Sequence, residues 1–374
     1  MGQVCIKESK QQTEEAGDAM EKNEIKDSQQ LFPEEDNDKG RQQLNEFTIL
    51  RHLGRGTNGK VMLVQHQPTQ KQYAMKVVCK NKVQSLTQKK YIKTERKILE
   101  ISDCSFITKL HYAFQTQTKL YFIIDYVSGG ELFYHLKMNG KMSEKRVRFY
   151  AAEILLGLDY LHKENIIYRD LKPENILLDN EGHIKICDFG LCKLCTQGDN
   201  YAKSFCGTLE YLAPEVISGD MYSKVCDWWT YGVLLYVMLT GRLPFQNDSK
   251  KEMMKSILME QFEIPNDLSE EAQDLVQKLL KKNPQERLGA IRDGAEIQEH
   301  EFFKDIDFVK LERREIKPPF YNDKPFQFFD QNLVRKSTIQ DTPVNEFGKY
   351  QNFSNFTYKE DKMINEYNKL LIIH

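Results

Sequence analysis

The sequence of 374 residues contains no apolar run long enough to cross a bilayer and has almost no net charge. Its most apolar run, Tyr231–Leu239, is far shorter than the roughly 20 residues of a transmembrane helix, so we predict a buried helix there. A net charge of −2 gives no overall attraction to nucleic acid, and we predict no such partner. The first ten residues also lack the apolar stretch of a secretory signal. These absences favour a cytoplasmic protein.

The sequence also lacks the dense cysteine spacing of a small secreted domain, since its eight cysteines are scattered from Cys5 to Cys226. This distribution indicates a reducing, intracellular setting. Cys192 and Cys195 have the spacing of half a zinc site. Because no second pair accompanies them, two ordinary thiols are the favoured interpretation.

The composition and hydrophobic pattern of the sequence divide the chain into four segments. Residues 1–46 are polar and predict a disordered leader, because they bury too little apolar surface to offset the entropy of ordering. Short apolar runs in residues 47–127 predict antiparallel strands with one inserted helix at residues 89–101. Helical periodicity dominates residues 128–303, and residues 304–374 form a tail with a helix predicted only at residues 358–371. The predicted fold class is therefore α+β, with a small β-rich lobe and a larger α-helical lobe.

A glycine-rich loop spans residues 54–61 with the pattern Gly-x-Gly-x-x-Gly-x-Val, where missing side chains let backbone N–H groups approach phosphate oxygens. A dinucleotide-binding loop would open a helix, whereas residues 61–65 continue as a strand. We predict a phosphate-binding hairpin, with a plain hairpin turn as the alternative. The predicted nucleotide contacts of this region are Leu53, Gly54, Arg55, Gly56, Thr57, Asn58, Gly59 and Val61.

Lys76 lies in the strand that follows, seventeen residues beyond Gly59, where a fixed ammonium group could hold the α- and β-phosphates. A snorkelling surface lysine is the ordinary alternative for a single Lys. Glu95, on the predicted inserted helix, could pair with Lys76 and orient it. We therefore predict a Lys76–Glu95 pair at the phosphate site.

The segment Tyr168-Arg-Asp-Leu-Lys-Pro-Glu-Asn175 is much more specific, because it offers a carboxylate, a cation and an amide within six positions. We predict that Asp170 accepts the proton of a substrate hydroxyl, that Lys172 meets the transferring phosphoryl group and that Asn175 holds a metal ion. Asp188 follows in Asp-Phe-Gly after a short predicted strand. It is the predicted main ligand of Mg²⁺, a hard cation that prefers oxygen.

In this order and spacing the motifs resemble those of the eukaryotic protein kinases, over about residues 47–303, with Ala213-Pro-Glu215, Asp227 and Arg287 completing the pattern. Tyr168 in place of the usual His, Phe205-Cys-Gly-Thr208 and Asp227-Trp-Trp229 look specifically like the AGC group. The tail is similar to that of the same group in three segments: Phe328-Phe-Asp330, Thr342-Pro343 and Phe353-Ser-Asn-Phe356-Thr357-Tyr358. Among its members the chain looks most like protein kinase B and the serum/glucocorticoid-induced kinases, without room for a pleckstrin-homology domain in the leader.

The resemblance implies a bilobed kinase fold, ATP and Mg²⁺ as cofactors, and transfer of the γ-phosphoryl group to Ser or Thr. It also implies that Glu215 pairs with Arg287 and that Asp227 braces the catalytic loop. It assigns Asp125, Tyr126 and Val127 to the hinge, and it assigns further nucleotide contacts to Ala74, the gatekeeper Ile124, the hinge residues Asp125 and Val127, the ribose-edge Glu131, and Asn175. It implies phosphorylation by an upstream activating kinase or by the enzyme itself at Ser204, Thr342 and Thr357.

The resemblance further implies substrates with basic residues before the acceptor, which Glu131, Glu174 and Glu210 would contact. Val237 replaces a Glu that many basophilic members use for a substrate arginine, so we expect the arginine three residues before the acceptor to matter more than the one two before. Leu209 replaces the usual Pro. Neither change removes a catalytic group.

Two other classes of function are alternatives to an active kinase. A pseudokinase scaffold would keep the fold but lose a phosphate-handling residue, whereas every such residue named above is present. A membrane-tethered adaptor would depend on its N-terminus, where Gly2 and Cys5 suggest myristoylation and palmitoylation, because a single acyl chain binds membranes only marginally. An unmodified start is the equally weighted alternative.

Overall fold

The computed structural model describes residues 41–56, 59–196, 199–318 and 353–360, except for the side chains of Arg55 and Gly56. The predictions for Gly2, Cys5, Thr57, Asn58 and Thr342 therefore lie outside the described residues. Residues 41–45 are helical, whereas the sequence places the end of a disordered leader at residue 46. No helix within the described ranges is long and apolar enough to span a membrane.

The small lobe is a six-stranded antiparallel sheet whose strand order is β1-β2-β3-β5-β4-β10. The strands predicted from the apolar runs that begin at Phe47, Lys60, Gln72 and Leu120 are confirmed. The six strands of the sheet are Phe47–Gly56 (β1), Gly59–His66 (β2), Gln72–Cys79 (β3), Leu110–Gln115 (β4), Lys119–Asp125 (β5) and Tyr358–Lys359 (β10).

The last of these strands corrects the sequence analysis, which placed the start of a helix at residue 358. Tyr358 and Lys359 instead pair with Ala113 and Tyr112 on the edge of β4. An edge strand exposes unpaired backbone N–H and C=O groups, and the tail satisfies them here. This partner is remote in sequence, so the helical periodicity of the tail could not reveal it.

Helix α1, Leu86–Ile101, is the predicted helix inserted between the strands. A capping box begins it: the Ser85 hydroxyl accepts from the N–H of Gln88, whose side chain accepts from the N–H of Ser85. Its inner face buries Ile92, Glu95, Ile98 and Leu99. Glu95 is thereby carried into the lobe interior.

The large lobe is predominantly helical, as predicted. Its central helix buries both Trp228 and Trp229. The helices are Leu132–Asn139 (α2), Glu144–Lys163 (α3), Pro214–Ile217 (α4), Val225–Thr240 (α5), Lys250–Met259 (α6), Glu270–Leu279 (α7), Gly294–Gln298 (α8) and Phe308–Glu312 (α9). Two short ribbons carry the loops of the site: Ile166–Ile167 (β6) with Lys193–Leu194 (β9), and Ile176–Leu178 (β7) with Ile184–Ile186 (β8).

Two sets of buried charged contacts stabilise the large lobe. The Arg287 guanidinium binds Glu215 through two bonds of 2.7 and 2.9 Å, which confirms the predicted pair. The Asp227 carboxylate accepts from the backbone N–H groups of Tyr168 and Arg169, at 2.8 Å each. The predicted role of Asp227 as a brace of the catalytic loop is confirmed.

The imidazole of His162 lies between two carboxylates, with its nitrogens 2.9 Å from Asp227 Oδ2 and 2.8 Å from Asp293 Oδ1. Burial alone would lower the pKa of His162, but the two carboxylates outweigh burial and raise this pKa to about 9. The folded-state pKa therefore exceeds the unfolded value of about 6.5. The resulting stabilisation is fully present below the unfolded pKa and is lost as the pH rises through the folded pKa.

We expect the free energy of unfolding to fall by about 2–3 kcal/mol between pH 6.5 and 9 because His162 loses its extra proton. Urea unfolding at both pH values measures the change, and His162→Gln should remove most of it. His135→Gln is the control, because burial lowers the pKa of His135, and a lowered pKa cannot make stability fall as the pH rises. An undiminished pH dependence in His162→Gln would contradict the assignment.

Candidate active site

The catalytic loop follows β6 and brings three predicted residues together. The Asp170 carboxylate lies 2.9 Å from Lys172 Nζ and accepts from the Asn175 amide at 3.0 Å. The Thr208 hydroxyl donates to Asp170 Oδ1 at 3.0 Å and accepts from Lys172 at 2.8 Å. Asp170 is thus held by donors on both sides, as a positioned proton acceptor requires.

Lys76, Glu95 and Asp188 form the second cluster. Lys76 Nζ lies 2.5 Å from Glu95 Oε1 and 3.1 Å from Asp188 Oδ1. Burial alone would lower the pKa of Lys76, but Asp188 and Glu95 raise it above its ordinary value. The ammonium group in turn lowers the pKa of Asp188, while burial raises the pKa of Glu95. The predicted pair is present, and a cation is fixed beside the Asp188 carboxylate.

The chemistry of Asn175 and Asp188 fits a divalent cation. Asn175 donates both to the backbone oxygen of Asp170, at 2.8 Å, and to its carboxylate, which leaves the amide oxygen as the atom able to bind a metal. The Asp188 side chain is 52% exposed and carries a negative charge stabilised by Lys76. Two hard oxygen donors are therefore available, as Mg²⁺ requires.

The glycine loop connects β1 to β2. β1 and β2 pair as far as Gly56 and Gly59, which makes the loop a hairpin, as predicted. A Cβ at Gly59 would lie 1.8 Å from the backbone oxygen of Val77, so only glycine fits there, whereas Gly54 has open space around it. The register also brings Ala74 opposite Ile124, on the strand that leads to the hinge.

Asp125 is a predicted nucleotide contact, but its side chain is bound to other residues of the protein. Its carboxylate is 2.8 Å from His111 Nε2 and 3.1 Å from Lys185 Nζ. Burial would raise the pKa of Asp125, but these cationic and hydrogen-bonding partners lower it to about 2. Because the side chain is engaged in this way, a contact between Asp125 and a nucleotide would come from its backbone.

Two of the predicted phosphorylation sites lie in described segments: Ser204 in the activation segment that follows β9, and Thr357 in the tail. Ser204 is exposed, and its hydroxyl accepts from Arg169 Nη1 at 2.7 Å. Phe353 and Phe356 are buried against the small lobe, where Phe356 meets Phe122 with ring centroids 5.1 Å apart. Thr357, next to this anchor, is exposed.

The three acidic residues predicted to contact a basic substrate lie close together. Burial and then the nearby Glu174 carboxylate raise the pKa of Glu131. One carboxylate oxygen of Glu174 is buried and has no hydrogen-bond partner within the described part of the chain. Glu174 and Glu210 both act electrostatically on Tyr211, so the three carboxylates share one neighbourhood. Such a cluster is suited to a basic guest group.

Sequence reasoning missed two contributors to this region. Thr208 was read only as part of a family motif, although its hydroxyl joins Asp170 to Lys172. His111 was given no role, because an isolated His in a strand offers no signal until its partners are known. Its link to Asp125 depends on the pairing of β4 with β5.

Comparison with known proteins agrees with this geometry. Residues 47–303 match the family described as protein kinase domain. The chain belongs to the protein kinase family. The predicted bilobed α+β fold and the predicted enzyme class are confirmed, and ATP with a divalent metal ion is the general requirement of such enzymes.

Related kinases of the AGC group align beyond the kinase domain. The chain is 43% identical over 339 residues to "Protein kinase 2" of Dictyostelium discoideum, covering 86% of this chain and 69% of the relative. It is 44% identical over 309 residues to "Serine/threonine-protein kinase YPK1" of Saccharomyces cerevisiae, covering 81% and 45%. It is 51% identical over 280 residues to "Ribosomal protein S6 kinase alpha-2" of Mus musculus, covering 74% and 38%. The chain thus spans between about two fifths and two thirds of these relatives.

Proposed function

We propose that this protein is an AGC-group serine/threonine kinase that transfers the γ-phosphoryl group of Mg-ATP to proteins with basic residues before the acceptor. The observation that carries the proposal is the assembled pair of clusters, Asp170–Lys172–Asn175 and Lys76–Glu95–Asp188. A pseudokinase would lack one of these groups. Among AGC kinases, resemblance to protein kinase B and the serum/glucocorticoid-induced kinases stays part of the proposal.

Each residue has a defined task in this mechanism. Asp170 orients the substrate hydroxyl and accepts its proton, while Lys172 stabilises negative charge on the phosphoryl group in flight. Lys76, held by Glu95, binds the non-transferred phosphates. Asn175 and Asp188 would hold Mg²⁺, which neutralises phosphate charge when bound.

The acidic neighbourhood supports the proposed substrate class. A substrate guanidinium beside Glu174 and Glu131 would relieve the repulsion between their carboxylates. Position 237 offers no carboxylate to a substrate arginine, because the residue there is a valine. Its side chain packs against the core of the large lobe. These features favour one dominant arginine, three residues before the acceptor.

We expect peptides with arginine three residues before Ser or Thr to be preferred over those with arginine two residues before. Glu174→Gln should raise the KM for the better peptide about tenfold, because a charged hydrogen-bonding partner is lost, with kcat little changed. Glu164→Gln, an exposed glutamate at the end of α3, is the control. A peptide library that showed the reverse order, or a preference for acidic peptides, would overturn the proposed substrate class.

Regulation forms the second part of the proposal. Phosphorylation of Ser204 and Thr357 by an upstream kinase, together with Thr342, would order the activation segment and hold the tail on the small lobe. The Arg169 contact of Ser204 and the buried Phe356 beside Thr357 support it. A cytoplasmic location, with membrane association through acylated Gly2 and Cys5, is proposed from the sequence, and intact-mass measurement of the native protein tests the acylation.

A further inference from the structure

The tail places a carboxylate between Lys109 and His111 on the edge of the sheet. Glu360 directly follows β10, and its Oε1 lies 2.7 Å from Lys109 Nζ while its Oε2 lies 2.9 Å from His111 Nδ1. Its backbone N–H also donates to the His111 oxygen at 3.0 Å. The side chain is only 12% exposed. Glu360 is therefore docked by both its side chain and its backbone.

The same histidine connects this carboxylate to the end of β5. His111 Nε2 lies 2.8 Å from Asp125 Oδ1, opposite the nitrogen that meets Glu360. Each nitrogen of the imidazole therefore faces one carboxylate, and the ring joins Glu360 to Asp125. Lys109 reinforces the link, because its backbone N–H donates to Asp125 Oδ2 at 3.1 Å and its side chain binds Glu360.

Asp125 is the point at which this network reaches the nucleotide site. It is the last residue of β5 and immediately precedes Tyr126 and Val127 of the predicted hinge. Holding the Asp125 carboxylate from His111 and Lys185 restricts the backbone at the start of that hinge. The network therefore joins the tail to the segment expected to contact adenine.

Backbone pairing alone is a weak way to hold this end of the tail. β10 contains two residues, far fewer than a stable strand usually needs. Phe353 and Phe356 anchor the other end, where Gln115 also binds the backbone of Phe353 at 2.9 and 3.1 Å. Glu360 supplies a charged anchor at the other end of this segment, close to Asp125. No contact described here joins Phe353 or Phe356 to Asp125.

We propose that Glu360 is a positioning residue for ATP binding: by engaging Lys109 and His111 it steadies Asp125 and the hinge, so that docking of the tail raises the affinity for ATP. The inference deepens the proposed function and rests on it only for the identity of the nucleotide. It requires neither phosphorylation of the tail nor a particular protein substrate.

The test compares the full chain with its Glu360→Gln variant, using isothermal titration calorimetry with Mg-ATP. Loss of the partly buried charged contacts should raise the Kd for ATP about three- to tenfold, while kcat at saturating ATP changes less than about twofold. Glu299→Gln is the matched control, since Glu299 is also ion-paired, to Arg292 at 2.5 Å, but on an exposed surface of the large lobe. Its Kd should equal that of the wild type.

Variants of His111 separate positioning from simple loss of tail docking. His111→Lys offers a hydrogen-bond donor to both carboxylates and should retain most of the ATP affinity, whereas His111→Leu should match Glu360→Gln. Combining His111→Leu with Glu360→Gln should add little further loss, because both act through one network. In a Phe356→Ala background, which removes an anchor of the tail, Glu360→Gln should have almost no effect.

An unchanged Kd for ATP in Glu360→Gln would overturn the inference, whether or not kcat falls. Failure of the proposed function is separately visible, because it appears as absent phosphotransfer by the wild type in a peptide assay. The calorimetric comparison does not depend on that assay.

Discussion

Asp170→Ala is expected to lower kcat by about 10²–10⁴-fold, because it removes the positioned proton acceptor of the reaction. The structure adds a second reason: Lys172 and Thr208 lose the carboxylate to which they are both bound. Steady-state phosphorylation of an arginine-containing peptide measures the effect. Turnover near that of the wild type would refute the assignment.

Asp170→Asn is the control that separates loss of the proton acceptor from loss of the side chain's packing and hydrogen bonds. It preserves the size of the side chain and an oxygen that can accept from Thr208 or Asn175, but it cannot take up the hydroxyl proton. We expect a loss of kcat similar to that of Asp170→Ala, with the melting temperature and the Kd for Mg-ATP close to wild-type values. High activity in Asp170→Asn alone would assign the residue a purely structural role.

Ser204→Ala is expected to lower kcat/KM about 10- to 100-fold in enzyme purified from its own cells, because one or two charge-assisted hydrogen bonds of the phosphorylated form are lost. The Arg169 guanidinium already lies 2.7 Å from the Ser204 hydroxyl. It also donates to the Leu191 oxygen at 2.6 Å, so it connects the catalytic loop to the activation segment. A phosphate at Ser204 would strengthen this connection and order the substrate platform.

Two comparisons make this result interpretable. Thr196→Ala removes another exposed hydroxyl of the same segment and should leave kcat/KM unchanged. Arg169→Ala should make activity insensitive to phosphorylation at Ser204, which mass spectrometry must quantify in each preparation. Full kcat/KM in Ser204→Ala, from enzyme that is phosphorylated at this site in the wild type, would show that the segment is ordered without the phosphate.

The catalytic residues were predictable because kinase chemistry depends on short segments with characteristic internal spacing. Asp170, Lys172 and Asn175 lie within one loop, and the ribbon of β7 and β8 separates them from Asp188, so local sequence already specifies their relative placement. Lys76 and Glu95 were predictable only as a pair, since each alone has an ordinary surface interpretation. Their 2.5 Å contact arises because α1 is packed with its buried face against the sheet.

Other assignments needed long-range partners. The residues at 358–359 have a helical pattern in sequence yet form a strand, because the open edge of β4 and the buried aromatic anchors outweigh local propensity. The side chain of Asp125 could not be assigned from sequence, since its partners His111 and Lys185 come from β4 and β8.

The sequence by itself determined the fold class, the division into two lobes and the identity of the phosphate-handling groups, because hydrophobic period and motif spacing are local properties of the chain. Only the tertiary structure decided which of these groups form hydrogen bonds and ion pairs with one another. Hydrogen bonds and ion pairs act over about 3 Å, and folding brings Glu360 to His111 across 249 positions of sequence. The coupling of the tail to the hinge is therefore a property of the packed sheet, and no segment of the sequence contains it alone.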